Sequence, residues 1–150
     1  VSGSITFIHP EKSKKSVPHG DLQEQEMTFS LVARCAQTGM FGVAVSSSSP
    51  AVAARCAYAR AGVGAVASQN VTDPQLGTRG LTLMEAGASA AQAIEALQNS
   101  SAFIEYRQVL AVDRNGETAI HSGPNTLGAW AEANTTDVAS GGNLLASRHV

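Results

Sequence analysis

From Met27 onward the hydrophobic period changes twice, and that order limits the fold more than any other feature of the chain. Phe29, Leu31 and Ala33 alternate with Thr28, Ser30, Val32 and Arg34, the period of a strand with one buried face. Ala36-Gln37-Thr38-Gly39 has turn chemistry, and Met40 to Val45 runs back, which predicts a β-hairpin ended by Ser46-Ser47-Ser48-Ser49-Pro50. Residues 51 to 57 fit no single period. Gly62 to Gln69 is a short apolar run, a third strand whose small residues allow close backbone approach.

Helical spacing then takes over. Asp73 is placed to cap free N–H groups, and Pro74 at the first helical position sacrifices no hydrogen bond. Leu76, Leu83 and Met84 share a face, Gly80 weakens the middle, and Gly87 suits a left-handed stop. Ser89-Ala90-Ala91-Gln92 is a capping box that opens a second helix with Ala90, Ile94 and Leu97 along one stripe. Strand character returns from Glu105 to Asp113, Arg114-Asn115-Gly116-Glu117 turns the chain, and Thr118 to His121 runs back. A last apolar passage holds Val138 and Leu144-Leu145. Strands, two helices, then strands, without β–α alternation, predict an α+β fold with antiparallel sheets.

A second boundary lies near residue 26. All three Lys fall in the first 15 residues, and every Ala falls after residue 26. Residues 1–26 therefore read as a leader, disordered or attached at an edge through Ile5-Thr6-Phe7-Ile8, and residues 27–150 as one domain. The chain stops within an apolar passage, so truncation at the C-terminus is expected.

Charge excludes several functions. Charged residues make up 15% of the 150-residue chain, and the net charge is −2. Without a basic stripe, nucleic-acid binding through phosphate neutralisation is not expected. No apolar stretch approaches the roughly 20 residues of a membrane span. Cys35 and Cys56 have no metal-ligand spacing and read as reduced, buried thiols, so no metal or other cofactor is expected and a cytoplasmic location is. What remains is a soluble domain acting on a small-molecule substrate.

The chemical candidates each have a plainer alternative. Ser46 and Ser47 either turn the chain or line a pocket; they form no G-x-S-x-G elbow. Gly62-x-Gly64 lacks the third glycine of a dinucleotide fingerprint and reads as strand packing. Ser68-Gln69-Asn70-Val71-Thr72-Asp73 joins a strand to a helix start, where N–H groups and polar side chains converge on a place for a carboxylate or oxyanion. Arg79 either pairs with Asp73 or Glu85 or clamps a substrate acid. His121 is a general base or a satisfied structural histidine. Cys56 as a nucleophile needs a base that the sequence does not reveal.

Met27-Thr28-Phe29-Ser30-Leu31-Val32-Ala33-Arg34, Gly42 to Ser47, Ala59 to Asn70, Thr72-Asp73-Pro74 and Leu76-Gly77-x-Arg79-Gly80 resemble, in order, the DUF1028 family. Asp113-Arg114-Asn115-Gly116, His121-Ser122-Gly123 and Gly142-Asn143-Leu144-Leu145-Ala146 continue the likeness to the end of the chain. The resemblance implies an Ntn-hydrolase-like fold, a four-layer αββα sandwich of antiparallel sheets, and an N-terminal nucleophile with its own amine as base. Removal of Met27 would expose Thr28 for that role, whereas within this chain Thr28 is internal. On that reading Thr28 attacks an amide carbonyl, Asn70 or Asn143 stabilises the oxyanion, and His121 is an accessory acid–base. Ser46, Ser47, Ser68, Asp73 and Arg79 then bind substrate. The alternative is a non-catalytic member that binds a metabolite or forms a homo-oligomer; a homodimer is expected in either case.

Overall fold

A computed structural model of the protein describes residues 27–149. The leader, with its strand-like Ile5 to Ile8, lies outside them. Eight strands and three helices follow in the order β1 (Thr28–Arg34), β2 (Phe41–Ser47), α1 (Ala53–Cys56), β3 (Ala57–Arg60), β4 (Gly64–Asn70), α2 (Pro74–Glu85), α3 (Ala90–Ser100), β5 (Arg107–Asp113), β6 (Thr118–Ser122), β7 (Ala129–Thr135) and β8 (Val138–Leu145). A short 3₁₀ turn, Ile104–Tyr106, precedes β5.

The strands form two antiparallel four-stranded sheets, β2-β1-β8-β7 and β3-β4-β5-β6. They pack face to face around Val32, Ala65, Ala67, Leu110, Val112 and Ala139. The small residues of β4 allow this close approach. On its other face the second sheet presents Val66, Val109 and Ala111 to Leu76, Leu81 and Met84 of α2 and Ile94 and Leu97 of α3. One sheet is thus buried on both faces, so every residue of β5 is buried.

The helix boundaries follow the local chemistry. Asp73 accepts a hydrogen bond from Gln75 N–H with Pro74 at the first helical position, and the Ser89/Gln92 capping box is complete. Gly87 takes a positive φ just after α2. Gly77 lets α2 lie against the Tyr58 ring: a Cβ there would stand 2.0 Å from the ring.

Two expectations change in detail. The buried face of β1 carries Ser30 and Val32, while the apolar alternates Phe29 and Leu31 remain 48% and 37% exposed. The reason is layering: among the described residues both long helices lie on the β3-β4-β5-β6 sheet, and none covers the outside of β1. The expected α+β sandwich of two antiparallel sheets is present, and among the described residues helices cover one of its two outer faces. The second difference concerns ambiguous or missed segments. Residues 51 to 57 hold a single helical turn that leads into β3, and β7 forms a strand with a register shift between Ala129 and Ala131.

Candidate active site

Strand parity decides which polar residues meet. Even-numbered residues of β1 face the inter-sheet layer, and Thr28, at the start of the strand, pairs in register with Ser47 on β2 and Asn143 on β8. The Thr28 and Ser47 hydroxyls share a hydrogen bond of 2.7 Å. Arg34 N–H donates to the Asp137 carbonyl. Alternation along the ladder then turns the Thr28 nitrogen toward β8, opposite the Asn143 carbonyl.

The neighbouring layer is polar where a sandwich core is normally apolar. Ser30, Gln69, Gln108 and Asn143 are at most 2% exposed. Gln69 Nε2 donates to Gln108 Oε1 at 2.6 Å and, across the sandwich, to the Gly141 carbonyl at 2.9 Å. Asn143 Nδ2 donates to Gln108 Oε1 at 3.4 Å. Gln108 Nε2 donates to Ser122 Oγ at 2.9 Å, and Ser122 Oγ in turn to the Glu132 carboxylate. A chain of hydrogen bonds so runs from Asn143 to an exposed carboxylate. Ser30 Oγ and Gln69 Oε1 are buried without a partner. Buried polar atoms are normally paired, and an unpaired one costs about 1–3 kcal/mol, so two in one layer mark a place where another polar group fits.

Ser47, Asn143 and Thr28 are the predicted residues that the fold brings together. The others stand elsewhere. Ser46 points to the opposite, exposed face of β2. Ser68 is buried on the helix-facing side of β4, against Thr72. Asn70 has φ +73°, donates to the Tyr106 carbonyl at 2.5 Å and accepts from Leu127 N–H, so it ties loops together. Asp73 caps α2 and lies 3.4 Å from the nearly buried Arg107. Arg79 donates to Ser100 of α3 and to Ser101 just after it, and Glu85 pairs with Arg60 instead. Both His121 nitrogens are engaged, Nδ1 with Gln98 at 2.7 Å and Nε2 with the Ile104 carbonyl at 3.0 Å. The period of two puts an odd-numbered residue of β6 on the helix side, away from Thr28. Ser46, Ser68, Asp73, Arg79 and His121 thus lie outside the inter-sheet layer that Thr28 enters, and the Asn70 amide is engaged by Tyr106 and Leu127.

Sequence reasoning missed Ser30, Gln69, Gln108 and Glu132. A signal was available for two: Gln69 and Gln108 interrupt otherwise apolar strands at inward positions. Of the two cysteines expected to be buried only Cys56 is, Cys35 being exposed in the turn after β1; desolvation raises the Cys56 thiol pKa, the reverse of what a nucleophile needs. Among the described residues no three His, Cys, Asp or Glu side chains gather to hold a metal ion. A separate cleft of about 500 Å³ lies on the uncovered outer face of the first sheet, between Phe29, Ser140, Gly142, Leu145 and Arg148.

Residues 28–150 match the family model described as "Family of unknown function (DUF1028)". The chain belongs to the DUF1028 family. Among solved structures, the crystal structure of a DUF1028 protein from Silicibacter pomeroyi is similar, with a TM-score of 0.77 and 24% identity. The likeness covers 81% of this chain and 56% of that one, so this chain spans little more than half of its DUF1028 neighbour. At that identity it establishes the shared fold alone. No curated protein matches the chain. No helix among the described residues is long and apolar enough to cross a membrane.

Proposed function

We propose that this DUF1028 protein is an amide-bond hydrolase of the N-terminal-nucleophile type, acting on a small polar metabolite after Thr28 becomes the first residue. The observation that carries this reading is the position of Thr28: its hydroxyl enters the inter-sheet layer at the open start of β1, and its nitrogen faces the Asn143 carbonyl.

In a chain that starts at Thr28, the α-amine has an ordinary pKa of about 7.7–8.0, which suits proton transfer near neutral pH. The amine takes the Thr28 hydroxyl proton as Oγ1 bonds to the substrate carbonyl carbon. The Asn143 carbonyl accepts an N–H of that amine and so orients its lone pair toward Oγ1. The Asn143 side-chain amide donates to the developing oxyanion. Collapse breaks the C–N bond, and the departing nitrogen receives the proton from the ammonium. Water, deprotonated by the same amine, then hydrolyses the Thr28 ester. Ser47 holds the hydroxyl before attack, and the unpartnered Ser30 and Gln69 atoms supply polarity for a hydrogen-bonding substrate.

The test is a chain verified by mass spectrometry to begin at Thr28, assayed on a panel of small amides and lactams. Turnover that disappears in Thr28→Ala supports the mechanism; turnover that persists in that variant sinks it. The competing reading is a non-catalytic member that binds a metabolite or acts as an oligomeric scaffold. It draws support from the near-complete burial of Ser30, Gln69, Gln108 and Asn143, which leaves a ligand little access. Ligand binding without turnover in the Thr28 chain would favour it.

A further inference from the structure

Among the described residues the two sheets have four edge strands, and three of them are blunted against pairing with another chain. β3 has four residues and ends at Arg60, which is ion-paired to Glu85. β6 has five residues and is tied to α3 through His121 and Gln98. β7 has an irregular register and carries Glu132. Short length, charge and bulges are the usual means of keeping an edge from templating a foreign strand. β2 uses none of them: Phe41-Gly42-Val43-Ala44-Val45-Ser46-Ser47 has seven residues without charge or proline, and its register with β1 is unbroken.

The outward backbone groups of β2 can be assigned. The Met40 carbonyl accepts from Cys35 N–H, and Ser48 N–H donates to the Met27 carbonyl. Even-numbered residues between those ends therefore bond to β1, and Phe41, Val43, Val45 and Ser47 turn their N–H and C=O groups outward.

We infer that β2 is a self-pairing edge, joining two copies of this chain antiparallel about a two-fold axis at Ala44. In that register Val43 of one copy faces Val45 of the other, and Phe41 faces Ser47. All four outward residues pair with outward residues, giving about eight main-chain hydrogen bonds. The close, non-hydrogen-bonded positions receive Gly42, Ala44 and Ser46, which are small and exposed. Residues beside a two-fold axis meet their own copies, so a charge there would repel itself; this strand has none. A second copy presents the same uncharged residues in the same alternation, so each outward residue of one strand meets an outward residue of the other. Pairing fuses the two β2-β1-β8-β7 sheets into one continuous sheet.

Sedimentation velocity of the full chain, from micromolar to hundreds of micromolar, tests this together with Ala44→Lys, Ala44→Glu and Val43→Pro. The wild type is expected to dimerise with concentration. Each charged variant alone is expected to remain monomeric at low salt, and an equimolar mixture of the two to restore the dimer. Val43→Pro removes an outward N–H that β1 does not use; it is expected to weaken association at least about tenfold while the circular dichroism spectrum holds. If Val43→Pro unfolds, the charged pair decides alone. A wild type that stays monomeric throughout, or a dimer that survives both charged variants unchanged, overturns the inference.

Discussion

Thr28 and Asn143 lie opposite one another on adjacent antiparallel strands, 115 positions apart in register, with the Thr28 nitrogen turned toward the Asn143 carbonyl. In a chain beginning at Thr28, Thr28→Ala is expected to abolish amide hydrolysis. Asn143→Ala is expected to lower kcat by about 10²–10³ with a smaller change in KM, the effect of losing one oxyanion donor. Steady-state kinetics on the best amide of the panel measure both.

The Gln69–Gln108 pair is the second test. Gln108 serves Gln69, Asn143 and Ser122 at once. Gln108→Leu removes a shared partner and leaves buried polar atoms unmet, an expected loss of about 2–4 kcal/mol. Urea unfolding at constant m-value would report it. A loss under half of that range would mean the network is already served by water.

Packing of α2 on β3 depends on the missing side chain of Gly77. A Cβ there collides with the Tyr58 ring near its base, not at a flexible tip. Gly77→Ala is expected to destabilise the domain by about 1–3 kcal/mol despite the better helix propensity of alanine. Adding Tyr58→Ala should recover part of that loss, and a double-mutant cycle measures the coupling.

The two cysteines are expected to react in opposite order to their positions in the core. Hydrogen bonds from Thr38 lower the pKa of the exposed Cys35 thiol, whereas burial raises that of Cys56. Since the thiolate is the nucleophile, half-maximal alkylation is expected at a lower pH for Cys35 than for an ordinary cysteine and at a higher pH for Cys56. Mass spectrometry of iodoacetamide-treated protein over pH 7–9.5 separates the two sites. Amide hydrolysis that survives complete alkylation of Cys35 is expected, because that residue lies beyond the end of β1 remote from Thr28.

Much of the fold was legible because its signals are local. Asp73-Pro74 and the Ser89/Gln92 box satisfy their own helix ends within a few residues, and Arg114-Asn115-Gly116 turns the chain on its own backbone chemistry. β7 was not legible: Ala129 to Thr135 lacks a clean period, since its outer half is exposed and its ladder is irregular. The candidate site was only partly legible. Thr28, Ser47 and Asn143 were named from sequence, but so were His121 and Arg79, whose polar atoms prove to be occupied by Gln98, Ile104, Ser100 and Ser101.

By itself the sequence determined the strands β1, β2, β4, β5 and β6 with α2 and α3 between them, the helix caps, the β1–β2 hairpin and membership of the DUF1028 family. Those features rest on period, capping and turn chemistry, which act over a few residues. The tertiary structure alone decided which face of β1 is buried, which polar residues meet, and which strands stand at the sheet edges among the described residues. The physical reason is parity. A strand offers two faces with equal regularity, and only the packing of one sheet against another, with helices on one side, chooses between them. That choice put Thr28 beside Ser47 and Asn143 and sent Ser68 and His121 to the helix side of the second sheet.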